Sequence, residues 1–193
     1  ACCPQLKKPK DVERLWEGLR HGEVSVISTD TCTFTREQKA MWEGDWTKIP
    51  MGMPGLETLL PVTYTHGVLK KRLTLDDMVM KLSTNPAKIM GLYPRKGVIE
   101  VGSDADLAII HPSSTRTVSC DTMETNADWS PFDGWELAGF ARTTLSRGEA
   151  QRTRLAVVLA MSAAGVDHFI EFGGKVLARG GNYQTMEGPE KFH

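Results

Sequence analysis

One stretch of this sequence, residues 24–34, most constrains what the chain can fold into. It reads Val-Ser-Val-Ile-Ser-Thr-Asp-Thr-Cys-Thr-Phe, so an apolar run rich in β-branched residues ends on an acid among small polar residues. Such a run is typical of a strand that is buried on both faces, as in parallel sheets covered by helices. Because catalytic groups in barrels of this kind lie at the carboxyl ends of strands, Asp30 is the candidate catalytic residue. The alternative is that Asp30 opens a turn or caps a short helix.

The charge and hydropathy of the chain exclude two kinds of partner. The 23 basic residues nearly balance the 24 acidic residues, and the net charge is −1. No global field therefore attracts nucleic acid or an anionic membrane surface. The longest apolar run, residues 155–166, is shorter than the roughly 18 residues that a membrane-spanning helix requires. We expect neither nucleic acid nor a membrane as a partner.

The cysteines indicate a reducing compartment. The chain has 4 cysteines and no C-x-x-C pair, and a chain of 193 residues can bury a core without disulfides. Free thiols and a cytoplasmic location are therefore expected. These residues are Cys2, Cys3, Cys32 and Cys120.

The first half of the chain predicts helices separated by loops. Asp11 is placed to cap the first helix, and Gly22 suits its left-handed end. Thr74 is placed to cap a later helix, with acids in the first turn. The helices are expected at residues 11–19, 56–69, 75–82 and 86–90.

The pattern changes after Pro94 to short β-segments separated by glycine, proline and aspartate. A second, all-β region is therefore expected to begin near residue 95. Residues 151–172 interrupt this pattern with apolar residues at helical spacing, and a helix is the alternative there. The β-segments are expected at residues 97–101, 105–110, 115–119, 139–146 and 175–178.

Several short motifs occur in an order that is specific to one family. They are residues 28–34, 37–39, 48–50, 52–57, 83–89, 91–97, 101–107 and 145–149. Between Cys3 and about Glu149 the chain resembles the C-terminal part of the cyclic amidohydrolases, the dihydropyrimidinase and D-hydantoinase group. No single motif is decisive, and the resemblance rests on their shared order.

The resemblance implies an α/β fold in two parts. Residues 1–94 correspond to the C-terminal part of a metal-dependent-hydrolase TIM barrel, with its last strand and the helices that follow. Residues 95–193 correspond to part of a small β-sandwich with a divergent C-terminal tail. The sequence begins at Ala1 without a methionine, which we interpret as a processed or excised start.

The chemistry implied by the resemblance is the opening of hydantoin or dihydropyrimidine rings by water activated at two zinc ions. Of the family's metal ligands, only the aspartate after the last barrel strand has a counterpart here, Asp30. The resemblance gives it two roles, to bind one zinc ion and to carry a proton from the attacking hydroxide to the departing nitrogen. None of the 5 histidines has a partner at ligand spacing, so the chain alone is expected to lack most zinc ligands.

Three positions near this site depart from the family. The resemblance places Cys3 and Met51 where a serine and an asparagine usually contact the cyclic amide. If main-chain groups make those contacts, both replacements are tolerated; if side chains make them, affinity for the ring falls. Thr31 replaces the usual histidine after the aspartate, which weakens the expected support of the metal.

Two further hypotheses remain open at this stage. The departures at Cys3, Thr31 and Met51 favour a non-catalytic relative that serves as a scaffold or homo-oligomerisation module. An incomplete barrel with an open parallel edge favours a truncated product without a function of its own.

Overall fold

The structure is a computed structural model that describes residues 1–146, together with the backbone of three short strands, 149–151, 169–172 and 175–179. The chain forms two compact units, and each unit consists of discontinuous segments. The predicted division of the chain near residue 94 stays a prediction, because it concerns the correspondence to a barrel and a sandwich. Unit 1 consists of Ala1–Val24, Ser28–Arg72 and His111–Phe140, and unit 2 consists of Ser25–Ile27, Leu73–Ile110 and the segment from Ala141 onward.

Helix α1, Pro9–Arg20, confirms the first predicted helix but begins two residues earlier. Proline suits the first turn because it lacks the N–H that would be unpaired there. Asp11 acts as the third helical residue, and its carboxylate accepts a hydrogen bond from the backbone N–H of Lys8 at 3.2 Å. Gly22 takes the left-handed conformation after the helix, with a φ of +79°.

The remaining elements of unit 1 are short. A helix predicted over residues 56–69 is confirmed, with its start at Leu59 and a π-helical second half. Thr65 joins this helix to the small sheet of unit 1, because its hydroxyl both accepts from the N–H of Ala138 at 2.8 Å and donates to the same residue's carbonyl at 3.2 Å. The elements are α2, Arg36–Ala40; a 3-10 turn, Trp46–Lys48; α3, Leu59–Thr63, with its π-helical extension, Tyr64–Leu69; and the antiparallel strands β2, Thr115–Thr117, and β3, Glu136–Ala138, with a 3-10 turn, Cys120–Thr122, between them.

Unit 2 contains a continuous helical stretch and an antiparallel sheet. Thr74 caps the helix as predicted, since its hydroxyl accepts from the N–H of Asp77 at 3.0 Å. The sheet has three strands, β1 (Leu107–Ile110), β4 (Ala141–Ser146) and β5 (Glu149–Gln151), in that order. The elements are α4, Leu75–Val79; a π-helical turn, Met80–Thr84; α5, Asn85–Ile89; β1, Leu107–Ile110; β4, Ala141–Ser146; β5, Glu149–Gln151; and the hairpin of β6, Phe169–Phe172, with β7, Lys175–Arg179.

Each unit has its own apolar core. In unit 1 the helix of Leu60 and Tyr64 packs with the β3 strand, where Leu137 is fully buried. In unit 2 Met78 is fully buried. Other buried apolar residues are Leu19, Val118, Ala127 and Ala138 in unit 1, and Leu73, Leu82, Ala87, Leu107, Ala108, Ile110 and Leu145 in unit 2.

The strand predicted within residues 24–34 is wrong, since no part of that segment forms a strand. Its backbone groups bond to separate segments: the N–H of Ile27 donates to the carbonyl of Lys81 at 3.2 Å, and the N–H of Cys32 donates to the carbonyl of Met53 at 3.4 Å. A strand needs one neighbour that continues alongside it, and the described residues supply none here.

Four of the other strand predictions are confirmed and one is wrong. Those at 105–110, 115–119, 139–146 and 175–178 are confirmed with shifted ends, whereas β3 was not expected. The strand predicted at 97–101 is wrong. Gly97 there has a φ of +84°, and its carbonyl accepts from the hydroxyl of Thr84 at 2.7 Å, so this backbone bonds to a helix instead of a strand. The helix considered for 151–172 falls mainly outside the described residues.

Among the described residues no helix is long and apolar enough to cross a membrane.

Candidate functional site

Asp30 lies in unit 1 on a backbone turn, and its side chain is exposed. Its φ of +46° is in the left-handed region, which non-glycine residues seldom adopt and which aspartate tolerates better than most. The next residues form a tight turn, since the N–H of Thr31 donates to the hydroxyl of Thr29 at 3.3 Å. The turn therefore presents the carboxylate of Asp30 to solvent.

The loop of residues 50–55 lies against this turn with almost no space between the two backbones. A Cβ atom built on Gly52 would lie 2.2 Å from the Cβ of Cys32, and the φ of Gly52 is +136°. Gly55 approaches the other side of the turn, where its Cβ position is 3.8 Å from the hydroxyl oxygen of Thr31. Glycine is required at residue 52, because any side chain there would displace the segment that follows Asp30.

The N-terminal segment lies on the other side of the same loop. The N–H of Gly52 donates to the carbonyl of Ala1 at 3.2 Å. Cys3 and Met51, the predicted substrate-binding residues, are therefore on neighbouring segments, and both side chains are exposed. Met51 itself is 41% exposed. Their role stays a prediction.

Lys39, in α2, connects these two segments. Its Nζ donates to the carbonyl of Pro50 at 2.9 Å and to the carbonyl of Ala1 at 3.0 Å. The same ammonium group lies 5.7 Å from the ring centre of Phe34 and 5.5 Å from that of Trp129. Attraction between a cation and the face of an aromatic ring operates at such distances.

A second segment holds α2 and Phe34 from outside. The indole N–H of Trp129 donates to the carbonyl of Phe34 at 2.8 Å, and the carboxylate of Asp128 accepts from the N–H of Arg36 at 2.8 Å. The latter N–H is at the start of α2, where backbone donors lack helical partners. Residues 128–129 thus fix the loop after Asp30 from more than 90 residues away.

Two buried oxygen atoms near the site lack hydrogen-bond partners among the described residues. They are the hydroxyl of Thr31 and one carboxylate oxygen of Glu57. The residue after Asp30 is thus a threonine whose enclosed hydroxyl has no partner among the described residues. A buried polar atom without a partner is costly, so this part of the site is not optimised for the fold of these residues alone.

The described residues do not form a metal site. No group of three or more histidine, cysteine, aspartate or glutamate side chains within them is arranged to hold a metal ion. All four cysteines, including Cys3 and Cys32, are free thiols. The ring of His66 packs against that of Trp135, with 5.0 Å between ring centres. The Nδ1 atom of His111 is hydrogen-bonded to the hydroxyl of Ser113 at 3.2 Å.

Sequence reasoning missed the contribution of Lys39 and Trp129. Lys39 lies in one of the family motifs, but its partners are 11 and 38 residues away along the chain. Trp129 was not among the candidate site residues. No local pattern identifies such contacts, because they depend on how distant segments meet.

A family model and the curated relatives identify the same family. Residues 1–150 match the model described as the amidohydrolase family. A D-hydantoinase of Geobacillus stearothermophilus is 40% identical over 147 residues, which cover 76% of this chain and 31% of the relative. A D-phenylhydantoinase of Escherichia coli is 36% identical over 147 residues, covering 76% of this chain and 32% of the relative.

Solved structures give the same relationship. A D-hydantoinase from a Bacillus species superposes with a TM-score of 0.77 at 39% identity, over 81% of this chain and 35% of that one. A dihydropyrimidinase from Brevibacillus agri superposes with a TM-score of 0.76 at 36% identity, over 78% of this chain and 33% of that one. This chain spans about a third of the length of the curated relatives it matches.

Proposed function

Because this chain belongs to the amidohydrolase family, we propose that it takes part in the hydrolysis of a cyclic amide of the hydantoin or dihydropyrimidine type. The relatives that support this proposal are named D-hydantoinase, D-phenylhydantoinase and dihydropyrimidinase. The substrate in this proposal is a small cyclic amide.

The observation that carries the proposal is the exposed carboxylate of Asp30 on a strained turn. A residue with left-handed φ costs conformational energy, and such residues are concentrated at functional sites. An exposed carboxylate is also accessible to a ligand. We assign Asp30 the task of accepting a proton from the attacking water and returning it to the ring nitrogen as the C–N bond breaks.

Substrate binding is assigned to the segments of Cys3 and Met51. Met51 precedes Gly52, whose N–H donates to the carbonyl of Ala1, two residues before Cys3. The N–H of Gly52 already has a partner within the protein. The main-chain groups of Cys3 and Met51 are therefore the ones proposed to bind the amide edge of the ring.

The zinc ions implied by the family resemblance do not fit the described residues. Binuclear zinc requires several nitrogen or carboxylate ligands, and no such group occurs among residues 1–146. No step of the reaction is therefore assigned to a metal here, and metal binding by Asp30 stays a prediction.

The proposal for the fold follows the resemblance. Residues 1–94 are proposed to correspond to the C-terminal part of a TIM barrel, and residues 95–193 to part of a β-sandwich. The strand predicted at residues 24–34 does not form among the described residues, so the barrel assignment rests on the resemblance alone. The antiparallel pairing of β1 with β4 supports a sheet-based second part. A cytoplasmic location is also proposed, from the absence of a disulfide pattern.

The second candidate is a non-catalytic relative that acts as a scaffold or a homo-oligomer. The observation that favours it is the combination of Cys3, Thr31 and Met51 at positions where the family usually has other residues.

The experiment that separates the two candidates is ring opening of hydantoin and dihydrouracil by the 193-residue chain and its Asp30→Asn variant. Asparagine tolerates left-handed φ, so this substitution removes the proton acceptor without adding backbone strain. Turnover that falls by about 100-fold or more in Asp30→Asn would support the proposed hydrolase. Asp76→Asn changes an exposed acid in unit 2 and is expected to leave turnover unchanged. Absence of turnover, or turnover that is insensitive to Asp30→Asn, would favour the scaffold.

A further inference from the structure

We propose that Lys39 is a positioning residue, whose ammonium group fixes the segments of Cys3 and Met51 beside the turn of Asp30. The inference rests on the proposed function for the identity of the site. The hydrogen bonds that carry it are independent of that function.

The two hydrogen bonds of Lys39 go to carbonyl groups within two residues of the predicted binding residues. Pro50 immediately precedes Met51, and Ala1 lies two residues before Cys3. The carbonyl of Ala1 also accepts from the N–H of Gly52, so both of its lone pairs are used. One ammonium group therefore sets the separation of two segments that are 49 residues apart, from residue 1 to residue 50.

The position of the ammonium group is itself fixed from the opposite side. It lies over the rings of Phe34 and Trp129, and these two residues are bonded to each other through the indole N–H and the carbonyl of Phe34 at 2.8 Å. Phe34 follows Asp30 by four residues. The contacts of Lys39 thus connect an aromatic pair, one member of which follows Asp30 by four residues, with the two binding segments.

Within residues 1–146 no acid lies close enough to form an ion pair with Lys39, although six ion pairs occur among other residues. Its charge is met by carbonyl dipoles and ring faces instead. An ammonium group in this environment orders main-chain oxygen atoms, which a neutral side chain of the same length cannot do. Lys48 provides the contrast, because it is 70% exposed and pairs only with Asp45, at 3.6 Å.

Loss of the Lys39 side chain is expected to change the kinetics in a different way from a substitution that only destabilises the fold. Lys39 touches the segments of Cys3 and Met51 but makes no contact with Asp30. Its loss is expected to weaken binding of the ring and to leave the proton-transfer step intact, which raises KM with little change in kcat. A variant that only unfolds more readily would have fewer active molecules, so its apparent kcat would fall at an unchanged KM.

The test compares Lys39→Met, Lys39→Arg and Lys48→Met in the full chain, with hydantoin as substrate. Lys39→Met is expected to raise KM by about tenfold or more with kcat within about threefold of wild type. Lys39→Arg keeps the charge, the donors and the ring contact, and is expected to restore most of the loss. Lys48→Met is expected to match wild type. An unchanged KM in Lys39→Met would overturn the proposal.

Amide hydrogen exchange keeps the test decisive if the chain shows no turnover, a result that would count against the proposed function alone. Lys39→Met is expected to speed exchange at the N–H groups of Gly52 and Cys32, which bond across the same segments. Exchange in the helical stretch from α4 to α5, in unit 2, is expected to stay at the wild-type rate. Unchanged exchange at Gly52 and Cys32, or a uniform increase in both units, would overturn the positioning role.

Discussion

A Cβ atom on Gly52 would lie 2.2 Å from the Cβ of Cys32, so the loop that carries Met51 and the turn after Asp30 meet where only glycine fits. Gly52→Ala is therefore expected to lower the free energy of unfolding by at least about 2 kcal/mol, from the positive φ and the overlap together. Urea denaturation followed by circular dichroism measures the change.

Gly44→Ala is the matched control for the Gly52 substitution. Gly44 also has a positive φ, +86°, but no atom lies within 4 Å of its Cβ position. Gly44→Ala is therefore expected to lower the free energy of unfolding only by the cost of an alanine in left-handed backbone, about 1 kcal/mol. Equal losses in the two variants would mean that the Cys32 contact adds nothing.

Met51→Asn introduces the residue that the resemblance predicts at this position. Because main-chain groups are proposed to read the ring, the substitution is expected to change KM for hydantoin by less than about threefold. Steady-state kinetics at a fixed enzyme concentration checks this. A KM that falls tenfold or more would show that the asparagine side chain, and not the main chain, binds the ring.

His66 is expected to make the protein less stable in mild acid. Burial of the imidazole, together with the nearby charges of Lys70 and Arg72, lowers the pKa of His66 from its usual value of 6.5. The unfolded chain then binds a proton more readily than the folded chain as the pH falls through 6.5, so the free energy of unfolding decreases there. Urea midpoints between pH 7.5 and pH 5 measure the effect.

The control for this pH dependence compares two glutamine variants. His66→Gln removes the ring that packs on Trp135 and is expected to reduce the loss of stability between pH 6.5 and 5. His21→Gln also removes an imidazole but leaves the His66 ring untouched. A wild-type pH dependence in His66→Gln would assign the effect to other groups.

Helix ends were the most predictable part of this fold. The side chains of Thr74 and Asp77 each accept a hydrogen bond from the other residue's backbone N–H, so four consecutive residues contain the whole signal. The left-handed φ of Gly22 is equally local. Such features depend on residues that are adjacent in sequence, and sequence analysis finds them for that reason.

The segment around Asp30 was less predictable because its surroundings are not local. Its apolar residues have the composition of a buried strand, yet sheet formation depends on a neighbouring strand that composition does not report. The sequence singled out Asp30 as an acid after an apolar run, but not its left-handed φ or its exposure. Lys39 escaped notice because its hydrogen bonds join segments that only the folded chain brings together.

The hydroxyl of Thr65 bonds both main-chain groups of Ala138, a residue 73 positions further along the chain. During synthesis the helix of Thr65 leaves the ribosome long before its partner strand β3. The face of the helix that β3 covers is exposed until then. Unit 2 has a similar delay, since β1 pairs with β4. Synthesis of residues 136–146 delivers β3 and β4 together, so the helix of Thr65 and the strand β1 gain their partner strands within the same short interval of translation.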